Sequence, residues 1–194
     1  MIRVEGFVGG AIAPWLADLA ALRIRVFRDW PYLYDGDLDY ERRYLQVYRD
    51  TPGAIVVAAF DGARMVGAST GLPVLSADPE FPAAFAGTGL DLSRLFYCAE
   101  SVLLPEYRGH GLGHRFFDLR EGQARTLGAT HVAFCAVQRA PDHPARPADY
   151  RPLDGFWRKR GYAPLPGVTA RFPWRDLGDD HETDKTLQFW MRAL

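Results

Sequence analysis

Cysteine is scarce in this chain of 194 residues: it has two, Cys98 and Cys135. Both lie in apolar runs, Leu-Phe-Tyr-Cys-Ala and Val-Ala-Phe-Cys-Ala, that read as buried strands, where a free thiol behaves as a small hydrophobe. A disulfide scaffold is excluded, and a reducing cytoplasm is the expected compartment. There is no Cys-x-x-Cys pair, and the five histidines (His110, His114, His131, His143 and His181) have no metal-ligand spacing, so no metal is expected. Long hydrophobic runs are missing too. No stretch of about 18 uncharged apolar residues exists to span a bilayer, and the N-terminus lacks a basic segment leading into an apolar one and a cleavage site. Neither membrane nor secretion is expected. Nor is there an excess of one charge: 23 basic and 24 acidic residues give a formal net charge of −1. A nucleic acid or an anionic membrane surface would find no electrostatic footprint.

What the chain does have is apolar substance, 48% of its residues. At this length folding buries about 70% of the extended surface, enough for one sizeable core. Residues 2 to 8 alternate as a half-buried strand. Pro14 is placed for a first helical turn, and Trp15, Leu19, Leu22 and Val26 continue at helical spacing. The segment Trp30 to Gly36 breaks that helix, and acids at 37, 39 and 41 favour a second one carrying Tyr40, Tyr44, Val47 and Tyr48 on one face. Ala54 to Phe60, a turn at Asp61-Gly62 and Ala63 to Leu72 read as a β-hairpin. Residues 76 to 92 form a loop with room for one short helix. Leu95 to Leu104 reads as one long strand stopped by Pro105, Leu112 to Leu127 as a helix ended by Gly128, and His131 to Val137 as the next strand, a βαβ unit. After a proline-rich excursion over 139 to 152 come a short helix, Leu153 to Arg160, and a strand pair, Val168 to Phe172 and Thr186 to Ala193. An acidic loop, Asp176 to Asp184, joins the pair.

The chemistry concentrates where the long strand ends and a glycine-rich turn opens a helix, Leu104-Pro105-Glu106-Tyr107-Arg108-Gly109-His110-Gly111-Leu112-Gly113-His114. The first N–H groups of a helix have no internal acceptor and carry partial positive charge, so glycines there let a pyrophosphate approach the backbone, and Arg108 adds a charged donor. The Gly-Lys-Ser/Thr ending of a P-loop is absent, and the glycine spacing differs from the dinucleotide fingerprint. Arg108, Gly111 and Gly113 fill the three positions of the acyl-CoA-binding motif of the GNAT superfamily of N-acyltransferases (Arg or Gln, two residues, Gly, one residue, Gly or Ala). The segment resembles that motif closely, and the order of elements resembles the family over most of the chain.

The resemblance implies an α/β fold of GNAT type, a mixed and mostly antiparallel sheet with splayed central strands flanked by helices, forming one N-acetyltransferase domain over residues 1–194. It implies acetyl-CoA as cosubstrate, with backbone amides of Arg108 to His114 on the pyrophosphate and the pantetheine arm in the gap between the long strand and His131–Val137. Backbone groups of Leu103, with Val102 and Leu104 beside it, would bond the arm. Phe156 and Trp157 would pack the arm or the core. The family's proton-donating tyrosine on the short helix is absent, since Trp157 stands at that position, and Tyr150, in the nearby proline-rich excursion, is the candidate substitute.

Glu100 is the one carboxylate inside the long apolar strand, and a buried acid is costly unless paired or chemically used. It is a candidate base for an amine, of which only about one part in a thousand is neutral at pH 7. The other reading is a Glu bonded to backbone, Ser101 or an arginine, and the sequence leaves both open. The resemblance also implies that the acceptor, a small-molecule primary amine, is lined by the segment joining the first two helices and by the final strand pair; there Tyr32, Tyr34, Asp35 and Asp37, with the acids of the late loop (Asp176, Asp179, Asp180, Glu182 and Asp184), offer rings and carboxylates suited to a cation. Asp37 and Asp39 serve equally as helix caps. A non-catalytic acyl-CoA sensor or partner-binding module is the rival reading, and a homodimer is left open.

Overall fold

The computed structural model describes residues 2–194. An eight-stranded sheet runs in the order β1 (Arg3–Val8), β2 (Ile55–Asp61), β3 (Arg64–Pro73), β4 (Leu95–Tyr97), β6 (His131–Val137), β8 (Thr183–Ala193) and β7 (Ala163–Trp174), with β5 (Ser101–Leu103) continuing beside β3. Strand β1 (Arg3–Val8) leads through a tight 3-10 turn, Gly9–Trp15, into helix α1 (Leu16–Phe27). Pro14 therefore belongs to the 3-10 turn and not to the first turn of the helix. Helix α1 buries Leu19, Ala20, Leu22, Arg23 and Phe27, a stripe at helical spacing that contains one charge. Helices α2 (Leu38–Tyr44) and α3 (Gln46–Asp50) follow. The Asp37 side chain caps α2, accepting the Tyr40 amide at 2.7 Å.

Strands β2 (Ile55–Asp61) and β3 (Arg64–Pro73) are almost wholly buried. Asp61 still pairs with Arg64, so the turn is Gly62-Ala63, one residue later than the Asp61-Gly62 expectation. The 76–92 segment holds the short helix α4 (Glu80–Ala83), whose Phe81 is buried. Strands β4 (Leu95–Tyr97) and β5 (Ser101–Leu103), helix α5 (Leu112–Thr126) and strand β6 (His131–Val137) make the βαβ unit. Helix α6 (Asp154–Lys159) precedes the long closing pair β7 (Ala163–Trp174) and β8 (Thr183–Ala193).

The expected continuous strand Leu95–Leu104 is two strands. β4 runs parallel to β6, with Leu95 opposite His131 and Tyr97 opposite Ala133, and the last link is Cys98 N to Ala133 O at 2.8 Å. Beyond it Ala99 N donates to Thr70 O and Thr70 N donates to Glu100 O, each at 3.0 Å. Two residues of one strand thus oppose a single residue of β3, which is a β-bulge, and the chain bends there. β5 then pairs only with β3. The sheet opens between β5 and β6.

Candidate active site: a gap in the sheet between a glycine turn and an aromatic pocket

On one side of the gap the 3-10 turn Pro105–Tyr107 hands over to α5 through the glycine turn. Gly109 and Gly111 have φ of +82° and +77°, a left-handed conformation that side chains disfavour, and a Cβ at either would project into open space. Among the described residues, the amides of Gly109, His110, Gly111, Leu112 and Gly113 find no acceptor, whereas His114 N already bonds Gly111 O at 3.0 Å. Five successive free amides at the start of a fifteen-residue helix form an anion-binding turn. Gly113 serves packing, since a Cβ there would stand 3.4 Å from the Phe156 ring. Arg108 is exposed, with Nε 3.4 Å from Leu103 O. His110 Nδ1 lies 3.3 Å from Tyr107 O. The His114 ring faces Phe156 at 4.8 Å.

Within the gap, the peptide geometry sorts the three residues expected to hold the arm. Leu104 N donates to Val66 O at 3.0 Å, and the register pairs Val102 with Ala68. Alternation along a strand then turns the N–H and C=O of Ser101 and Leu103 away from β3, into the gap. The Leu103 peptide groups thus face the gap. The backbone groups of Val102 and the amide of Leu104 are committed to β3, and both side chains are buried in the core. Trp157 packs against Phe134 and Trp190, with ring centroids 4.9 and 5.1 Å apart, so its half-buried ring lies against the core.

On the other side lies a pocket of about 80 Å³, and nine of its fifteen lining residues are aromatic. Ala99 and Glu100 from the bulge and Cys135 from β6 form its end at the gap. Tyr32 and Tyr34 are among its lining residues, and Asp35 and Asp37 are not. Asp35 instead pairs with Arg175 at 2.7 Å, and Asp37 is spent as the cap of α2. Tyr150 is not among the lining residues either; its ring packs edge-on against Trp30 at 5.9 Å. The late acids are partly consumed as well, because Asp176 pairs with Arg139 at 2.6 Å and Lys185 at 3.3 Å.

Glu100 is the hub of the pocket. Its Oε1 accepts from Tyr44 Oη at 2.7 Å and ion-pairs with Arg23, and its Oε2 accepts from Tyr48 Oη at 3.0 Å and from Thr70 Oγ1. Burial opposes ionisation, but Arg23 and the three hydroxyls outweigh it and hold the carboxyl below its ordinary range. Arg23 also binds the fully buried Glu41 at 2.5 Å, so two carboxylates share one guanidinium. The Cys135 thiol, pushed up to about 12 by burial, stays protonated; Tyr97 Oη stands 3.1 Å from its sulfur. Sequence reasoning missed Arg23, Glu41 and the pairing of Tyr44 and Tyr48 with Glu100. The available signal was a single charge, Arg23, on the apolar stripe of α1.

A family model described as the acetyltransferase (GNAT) family matches residues 19–162. The chain belongs to that family. The matched residues include most of α1, the bulge, the glycine turn and α6. The fold is similar over the whole chain to several solved structures. A ribosomal-protein-alanine N-acetyltransferase from Brucella melitensis is 17% identical, with TM-score 0.61 and coverage of 100% of this chain and 99% of that one. An acetyltransferase from Thermus thermophilus is 16% identical at TM-score 0.57, covering 100% and 97%. A Salmonella typhimurium protein described as an acetyltransferase, solved with its cofactor acetyl-CoA, is 12% identical at TM-score 0.59, covering 100% and 94%. Curated proteins give no significant sequence match. Among the described residues no helix is long and apolar enough to cross a membrane.

Proposed function

We propose that this chain, as one N-acetyltransferase domain, transfers the acetyl group of acetyl-CoA to the primary amine of a small cationic molecule, by direct attack in a ternary complex. The observation that carries the reading is the gap itself: five acceptor-free amides on one side and an aromatic pocket on the other, with Leu103 and Ser101 backbone groups between. The residues present fit the cosubstrate. The glycine turn and Arg108 would hold the pyrophosphate, and Leu103 the pantetheine amides, while acetyl-CoA supplies the activated thioester. The amine nitrogen forms the C–N bond as the carbonyl π pair moves to oxygen. The ammonium gives up one proton to solvent before this attack; collapse of the oxyanion then breaks the C–S bond, CoA leaves as thiolate, and the second proton on nitrogen passes to solvent. Much of the rate comes from holding amine and thioester in contact, and gap-facing backbone N–H groups support the oxyanion.

The acceptor follows from the charges in the pocket. Arg23 is already spent on two carboxylates, so an acceptor's carboxylate would meet no free cation on the lining, while an ammonium meets the excess negative charge and aromatic faces. Glu100 takes a different part from a direct base. Its four acceptor positions are occupied and its pKa is depressed, so it draws the ammonium in and orients Tyr44, and the proton leaves through solvent. The absence of a tyrosine at Trp157 is tolerable, because a thiol of pKa near 8.5 departs as thiolate.

The test is a mass-spectrometric screen of amines with acetyl-CoA, set beside calorimetric binding of CoA. Acetylated amines and released CoA are expected, with carboxylate-bearing amines poorest. Binding of acetyl-CoA without CoA release across the panel would make the chain a sensor.

A further inference from the structure

Outside the pocket one buried charge has no counter-ion. Arg120, on the inner face of α5, is 1% exposed and forms no ion pair among the described residues. Its guanidinium is spent on backbone and hydroxyl oxygens at the bulge. Nη1 donates to Thr70 O at 3.2 Å and to Glu100 O at 3.1 Å, Nη2 donates to Ser101 Oγ at 3.0 Å, and Nε donates to Phe116 O at 3.3 Å. The Phe117 ring lies 4.6 Å from the guanidinium carbon. Desolvating a cation without a paired carboxylate is costly, and helix α5 carries this one to the place where the sheet opens.

We propose that Arg120 is a positioning residue for acetyl transfer, acting through the peptide group between Glu100 and Ser101. The inference rests on the acetyl-CoA reading above. The carbonyl of that peptide accepts twice, from Thr70 N at 3.0 Å and from Arg120 at 3.1 Å. In a trans peptide the N–H points opposite to the C=O. The Ser101 N–H therefore faces the gap, where it has no acceptor among the described residues. Two donors on the carbonyl polarise the amide and make its N–H a stronger donor than that of an ordinary strand peptide. The fixed positive charge behind it, in a dry core, favours negative charge developing on the gap side. The same contacts pin the carbonyls of Thr70 and Glu100, which keeps the bulge and the gap in shape. One helix thus offers the pyrophosphate site at its first turn and conditions the oxyanion donor from its buried face.

The test compares wild type with Arg120→Met, which removes the charge, and Arg120→Lys, which keeps it. Isotope-edited infrared spectroscopy of carbon-13 acetyl-CoA reads the thioester carbonyl in the bound state, calorimetry reads CoA affinity, and steady-state kinetics read kcat and KM. The expected pattern is a carbonyl stretch lowered on binding to wild type, lowered less in Arg120→Met and recovered in part by Arg120→Lys. With it should come a fall in kcat of about tenfold or more in Arg120→Met, with CoA affinity and the amine KM little changed. A wild-type carbonyl frequency and kcat in a folded variant would overturn the proposal, as would a loss of kcat that only follows lost CoA affinity. If Arg120→Met does not fold, Arg120→Gln, which removes the charge and keeps a polar side chain, takes its place, and a wild-type carbonyl stretch and kcat in it overturn the proposal. The two readings fail separately: a carbonyl shift that depends on Arg120 in a protein that acetylates no amine supports the polarisation and sinks the acetyl-transfer reading.

Discussion

Glu100 collects side chains from four elements: Arg23 of α1, Tyr44 of α2, Tyr48 of α3 and Thr70 of β3. Replacing it with Gln keeps the shape and removes the charge, leaving Arg23 with Glu41 alone. If the carboxylate draws in the ammonium, Glu100→Gln raises the amine KM and lowers kcat/KM by about 10 to 100-fold, uniformly between pH 6 and 9. A base would show otherwise: kcat would fall and recover as pH rises toward the pKa of the amine. Steady-state kinetics against pH separate the two. Gly111 is the matching test on the other side of the gap. Its φ of +77° strains any side chain, and Val would also crowd the space a pyrophosphate must enter. Acetyl-CoA at a hundredfold excess over its dissociation constant should stabilise the wild-type fold by about 2.7 kcal/mol. In Gly111→Val that thermal shift should vanish, and an unchanged shift in a folded variant would remove the turn from the site. The turn was legible in the sequence because the effect of a glycine is local. The partners of Glu100 lie 30 to 56 residues away in the Thr70, Tyr48 and Tyr44 bonds, and no periodicity carries that information.

At the scale of elements, most helices and strands were legible from their spacing, and the misreadings share a cause. An apolar run from Leu95 to Leu104 looks the same whether it is one strand or two. The break is imposed by Thr70 on β3 and Arg120 on α5, both remote in sequence. Asp37 shows the opposite case: an acid before a helix is a cap by local geometry, and that local role displaced its expected place in the acceptor site. The α5–β3 contact makes a sharp prediction of its own. A Cβ at Gly67 would lie 2.5 Å from Leu103 Cδ1, 3.0 Å from Phe116 Cζ and 3.3 Å from Val102 O, with β5 on one side and α5 on the other. Gly67→Ala should therefore destabilise the fold by about 1–3 kcal/mol, read as a lower urea midpoint at unchanged slope. It should also weaken acetyl-CoA binding, since the strand it displaces carries Leu103.

Across the whole molecule, two acids tie together segments far apart in the chain. Glu100 joins the α1–α3 helices to the sheet. Asp176 joins the β7–β8 connection to Arg139, and its backbone forms a bridge with Tyr34 in the α1–α2 linker. Leu177 N bonds Leu33 O at 2.7 Å and Asp35 N bonds Arg175 O at 2.9 Å, so two segments that supply walls of the aromatic pocket are joined by the same seam. Burial opposes the charge on each acid, and the neighbouring cations and hydrogen bonds prevail, leaving both carboxyls below their ordinary values. A carboxyl whose pKa is lower folded than unfolded adds stability above the unfolded pKa and loses it as pH falls through the folded one. Stability should thus be flat from neutral pH down to about pH 5 and fall below about pH 4, through the ordinary carboxylate range and beyond it. Glu100→Gln and Asp176→Asn should each lower stability at neutral pH and flatten the acid limb, because the titrating group is gone. Urea midpoints from pH 3 to pH 7 measure both effects. An acid limb equally steep in the two variants and the wild type would show that other carboxylates govern it, and that the seam around the aromatic pocket does not depend on these two charges.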